Sequence, residues 1–286
     1  MMARKHKAFP RLSIDSLRTE EHRRLFSRAL QNVLSSDTAE LTYGQIVDGL
    51  PISSVEEDSY YGTVSRDHPI HKNHTELCSG VLERLRNING ARDISTLEFD
   101  STLIDAYNNT SLGSRAFQAR LIEMTVYAVH QIAVQLFRTE TSIHDEKDGM
   151  GWWEDPKRER MPPTLFQHHA YCDYHLFPED LADGVAYWAE NRIFGGVVLF
   201  DRRAPGSSPN SHNGIRVDPN AIYLHSDRDG VTNQIYQLTD RQRCDLVNFL
   251  LSETTPPAKC PIPMKATWEN DKRIDPQKSH LDTGVY

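Results

Sequence analysis

A mainly α fold with a small β portion is what this sequence predicts. Three observations predict it. Apolar residues recur at i, i+3, i+4 spacing over long stretches. Short runs rich in β-branched and aromatic residues are confined to residues 194–238. Gly, Pro and Asn clusters punctuate the boundaries between the two kinds of segment. With 286 residues, 38% of them hydrophobic, the chain is long enough to bury a sizeable core. It divides into a lead-in over 1–60 with one helix, a helical bundle over 61–147, a connector and α/β portion over 148–255 that completes the same domain, and an irregular tail over 256–286.

The elements follow in order. Leu17 to Leu34 carries Leu25, Phe26, Ala29, Leu30 and Val33 on one helical stripe. Pro69 to Ile88 places Ile70, Leu77, Val81, Leu85 and Ile88 likewise, with glycine in "NINGARD" to end it. Residues 98–110 read as a short helix. Arg115 to Arg138 is apolar around most of its circumference, which predicts a buried helix. "HDEKDGMGWWEDPKRERMPP" is a polar connector with two adjacent tryptophans. In "PEDLADGVAYWAENRIFGG" Pro178 suits a first helical turn, and Gly195 and Gly196 suit its end and a close backbone contact. "VVLFD", "AIYLH" and "NQIYQL" read as strands, and Asp240 to Ser252 as an amphipathic helix with Asp240 as its cap.

Charge and composition exclude several functions. Net charge is −8 without a long basic run, so nucleic acid and anionic membranes are not expected partners. No apolar run reaches the roughly 20 residues of a membrane span. The N-terminal stretch "MMARKHKAFPRLSIDSL" lacks an apolar core for secretion, so a cytoplasmic location is expected. The four cysteines form no CxxC, and free thiols are expected in that compartment. A small-molecule substrate is the expected partner. The sequence has no GxGxxG, P-loop, GxSxG or HExxH signature.

Thirteen histidines are present, and six fall into two tight groups. In "HPIHKNH" (His68, His71, His74) a helix would point His71 and His74 the same way, with Cys78 one turn later. Two imidazoles on one rigid face give a metal two ligands at little entropic cost. The bland alternative is a solvated helix start. "HHAYCDYH" gathers His168, His169, Cys172, Tyr174 and His175, at a spacing that fits no zinc finger. The third element is His130, alone in "TVYAVHQIAVQLF", with Glu123 and Tyr127 on its face. It reads either as a metal ligand shared with His71 and His74 or as a hydrogen-bonded core residue. Unpaired buried polar groups are costly, so this edge requires partners in either case.

The segment "LIEMTVYAVHQIAVQLFR" resembles the copper-site helices of arthropod hemocyanins and tyrosinases, in which a lone histidine completes a three-histidine site. The resemblance implies a hemocyanin-like helical bundle carrying a metal site, with His130 at the family position. The upstream pair of that family is spaced by four, whereas His71 and His74 are spaced by three. A second half-site would need His168, His169 and His175, which lack the family's helical pattern. One half-site fits a single zinc better than a copper pair. That description resembles the fungal cyclopenases of viridicatin-type quinolone biosynthesis, zinc-dependent lyases that rearrange a benzodiazepinedione epoxide. Carried over, it implies zinc on His71, His74 and His130, with Lewis-acid promotion of a ring contraction. Glu123 or Tyr127 would move the proton, and His168, Trp152, Trp153 and Tyr174 would contact the substrate. The alternatives are a dinuclear type 3 copper oxidase and a non-enzymatic α-rich binding module.

Overall fold

The structure is a computed structural model, which describes residues 10–59, 64–139, 144, 150, 163–202, 218–254, 259–276 and 285. The first helices are α1 (Glu20–Leu34) and α2 (Asp37–Asp48). The hydroxyls of Thr19 and Ser36 accept the free N–H groups of His22 and Ala39 at their N-termini. Gly49, at φ 101°, ends α2 in the left-handed conformation glycine adopts without strain. The lead-in therefore holds more than one helix, because Ser36 and Gly49 delimit a second one. A short α3 (Ser53–Glu57) follows.

The single helix expected over Pro69–Ile88 is instead two, α4 (Ile70–Asn73) and α5 (Val81–Ala91). His74 leaves helical geometry at φ −128°, ψ 64°, and Gly80 takes φ 86° before α5. The turn between them points side chains toward the end of α2. Residues 98–110 also divide. Strand β1 (Arg11–Ser13) pairs antiparallel with β2 (Glu98–Asp100), and α6 (Ser101–Asn108) follows under a cap from Asp100.

Helix α7 (Arg115–Arg138) matches its expected bounds and lies at the centre. It buries Phe117, Leu121, Met124, Val129, Ile132 and Leu136, among others. Each such side chain contributes about 1.5–3 kcal/mol. Helix α8 (Leu181–Phe194) lies against it. Pro178 is not in its first turn, since Pro178–Asp180 form a separate turn and the Asp183 carboxylate accepts the Glu179 N–H at 2.8 Å.

Beyond α8 the three expected strands form, as β3 (Val197–Phe200), β4 (Ile222–His225) and β5 (Ile235–Gln237). Gly195, at φ 94°, and Gly196 admit a backbone contact no other residue fits. A Cβ on Gly195 would lie 1.9 Å from the Met264 carbonyl oxygen. Helix α9 (Asp240–Leu250) is capped by Thr239, whose capping box with Gln242 displaces the expected Asp240 cap. The tail is not wholly irregular. Strand β6 (Arg273–Ile274) extends the antiparallel sheet to the order β3-β4-β5-β6. One face of this sheet (Val198, Phe200, Ile222, Leu224, Tyr236) joins the main core. The other (Val197, Leu199, Tyr223, Ile235 and Ile274) forms a second cluster with Val285, against which Tyr171 and Tyr187 pack. Burial on both faces explains why these strands read as continuous apolar runs. Mainly α with a small β portion is thus the observed class. No helix among the described residues is long and apolar enough to cross a membrane.

Candidate metal centre

Four side chains from separate stretches of chain converge at the end of α2. Asp48 is its last residue, His74 follows α4, Cys78 lies in the turn before α5, and His144 comes from beyond α7. The His74 Nε2 lies 3.1 Å from the His144 Nε2 and 3.2 Å from Asp48 Oδ2. The His144 Nε2 is 3.3 Å from Asp48 Oδ1 and 3.6 Å from the Cys78 Sγ. One ligand atom from each residue lies within 4.8 Å of all the others. An ion bound tetrahedrally by N, O and S at its usual distances sets those atoms about 3.3–3.7 Å apart. The four separations given above, 3.1–3.6 Å, lie at or just below that size.

The surroundings prepare these atoms for a cation. The His74 Nδ1–H donates to the Pro51 carbonyl at 2.9 Å, which leaves Nε2 as the lone-pair side of the neutral ring. The Cys78 backbone N–H donates to Asp48 Oδ2 at 2.9 Å and orients the carboxylate. Asp48 is fully buried. Burial alone would raise its pKa, but the His144 and His74 rings and the Cys78 N–H against its oxygens outweigh that and hold it well below the usual carboxylate range. Two imidazoles, a thiol and an ionised carboxylate therefore face one point.

The other histidines read as ligands do not join this cluster. His71 turns away, with Nε2 donating to the Ser65 carbonyl at 3.2 Å and Nδ1 3.4 Å from Glu57. Its helical pairing with His74 fails because α4 ends at Asn73. His130 has both ring nitrogens committed. Nδ1 donates to Glu190 at 2.7 Å and Nε2 to Asp183 at 3.0 Å. Burial lowers its pKa, but the bonds to Asp183 and Glu190 more than reverse this and bring it to about 9. Paired with both carboxylates, His130 clamps α7 to α8 and lies outside the two ligand clusters found among the described residues. His71, His74 and His130 therefore do not converge on one point.

The second histidine group forms a separate cluster. His168 is buried, its Nδ1 accepting the Ala170 N–H at 3.2 Å and its Nε2–H donating to the His225 carbonyl at 3.0 Å. Burial pushes its pKa down to about 4 and keeps it neutral. His168, His169 and Asp227 are close enough to hold an ion, but His168 has no nitrogen to spare and the His169 Nδ1–H donates to Asp227. His175 is exposed.

Glu123 and Tyr127 line a groove of about 850 Å³ together with His130. Burial raises the Tyr127 pKa, and Glu123 is shared between Arg120 and Arg202. Neither His168 nor Tyr174 is among the lining residues of this groove. Tyr174 instead lies in a 3-10 turn, its Cβ beside Gly184 of α8. Trp152 and Trp153 lie outside the described residues.

Of the four converging groups, His74 is the one read as a ligand from sequence, and Cys78 was placed on its edge. Asp48 carried only the signal of an acidic residue before a helix-ending glycine. His144 opens the stretch read as a connector. No protein-family model, curated protein or solved structure matches this chain.

Proposed function

We propose that this chain is a zinc protein, with one ion held by Asp48, His74, Cys78 and His144. The observation that carries the reading is the set of 3.1–3.6 Å separations among donor atoms of three chemical kinds around one buried point. Thiolate, imidazole and carboxylate together in tetrahedral spacing suit zinc, whereas a type 3 copper pair needs six imidazoles. Four protein ligands make a closed site, the usual form of a structural zinc. The ion would then tie the end of α2 to the turn after α4 and to His144. Elemental analysis of the purified protein tests this. About one zinc per chain is expected, falling below about a tenth in His74→Ala and unchanged in His71→Ala and His130→Ala. Retention of zinc in His74→Ala, or its loss in His71→Ala, contradicts the assignment.

A catalytic role for the same ion is a second reading, and the partial exposure of Cys78 supports it. That edge is where a substrate oxygen would reach the ion as a fifth ligand. The chain would then be a lyase of the cyclopenase kind, in which a zinc so held supplies Lewis-acid polarisation of a carbonyl. Incubation of the zinc-loaded protein with cyclopenin, followed by mass spectrometry, tests it. Conversion to the ring-contracted quinolone, abolished by His74→Ala, is expected. No conversion by fully loaded protein sinks the catalytic reading and leaves the structural one intact.

A further inference from the structure

The groove along α7 has two charged ends, separated by the seven residues from Glu123 to His130, or about 10 Å of helix. At one end the His130 ring faces two carboxylates, Asp183 and Glu190, so this end is net negative. At the other, two guanidinium groups share one carboxylate. Arg120 lies 2.5 Å from Glu123 Oε2, and Arg202 pairs with the other oxygen of the same group. Both guanidinium groups also lie over the Phe200 ring, at 5.7 and 5.4 Å. Glu123 and Arg120 are largely buried, while Arg202 keeps about a third of its side chain open. Burial lowers the Arg120 pKa and the Arg202 charge lowers it further, although Glu123 opposes both. The stretch 203–217 that follows Arg202 contains no Asp or Glu.

From this geometry we infer that the groove binds a small organic anion, with its carboxylate or phosphate head on the part-exposed Arg202 beside Arg120, whose own fork is held by Glu123 and the Pro219 carbonyl, and an apolar body along Val126, Tyr127 and Tyr187. A guanidinium presents a fork of N–H groups that matches either head group. One carboxylate between two such groups leaves one positive charge among these three, beside an apolar wall. Cavities of this size hold drug-sized ligands. The groove shares no residue with the metal cluster, so the inference stands independently of zinc.

The test is isothermal titration of the full-length, zinc-loaded protein with naphthalene-2-carboxylate, naphthalene-2-carboxamide and inorganic phosphate. Binding of the carboxylate is expected, weakened about 10- to 100-fold by Arg202→Ala and by the neutral amide. Arg202→Lys is expected to fall between, since it keeps the charge but loses the fork. Inorganic phosphate is expected to compete weakly, because it has the head and lacks the body. Equal binding of carboxylate and amide overturns the proposal, as does unchanged affinity in an Arg202→Ala protein whose circular dichroism matches wild type. No binding of either anion overturns it as well.

Discussion

Replacing His74 by alanine is expected to lower the melting temperature of the zinc-loaded protein by about 10 °C. An ion that binds the folded chain alone, at about a thousandfold excess over its dissociation constant, contributes about 4 kcal/mol. In a chain of this size each kcal/mol moves the melting temperature by about 2–4 °C. Excess chelator is expected to lower wild type to the same value and to leave His74→Ala unmoved. That second result separates loss of the metal from loss of packing, because His74 is also buried and bonded to Pro51. A chelator effect in His74→Ala equal to that in wild type would show the ion to be elsewhere.

The second large effect is expected at His130. In His130→Ala, Asp183 and Glu190 remain buried without the cation between them. Breaking a buried ion pair in this way costs about 3–5 kcal/mol. The pH dependence distinguishes this cause from a simple cavity. The His130 pKa rises from an ordinary 6.5 to about 9 on folding, so its contribution is complete below pH 6.5 and disappears as pH rises through 9. Wild type is therefore expected to lose about 3 kcal/mol between those values by urea unfolding, and His130→Ala to lack that loss. His168 acts in the opposite direction. Its pKa falls to about 4 on folding, so its contribution is present above pH 6.5 and is lost as pH falls toward 4. A wild-type stability flat from pH 6.5 to 9 would contradict the ion-pair reading.

The regular elements were legible because their signals are local. The burial of α7 followed from its all-round apolar pattern, and β3, β4 and β5 from their β-branched and aromatic runs. The metal cluster was not legible as a set, because its four members are brought together only by tertiary structure. His74 and Cys78 were visible as neighbours, yet the helical spacing that paired His71 with His74 ends at the break after Asn73. Asp48 and His144 stand 26 and 70 residues from His74, and no local pattern marks either. For His130 the two readings differed only in what faced the ring. The carboxylates that decide it, Asp183 and Glu190, stand two turns apart on α8, where their spacing on one face matters only once α7 lies beside it.

X-ray absorption at the zinc edge of the purified protein tests the central claim most directly. The expected spectrum is one sulfur near 2.3 Å and three nitrogen or oxygen neighbours near 2.0–2.1 Å, with imidazole scattering from two rings. In Cys78→Ser the sulfur shell is expected to vanish while the imidazole scattering remains. A spectrum without sulfur, or one with three imidazoles, would contradict the cluster of Asp48, His74, Cys78 and His144.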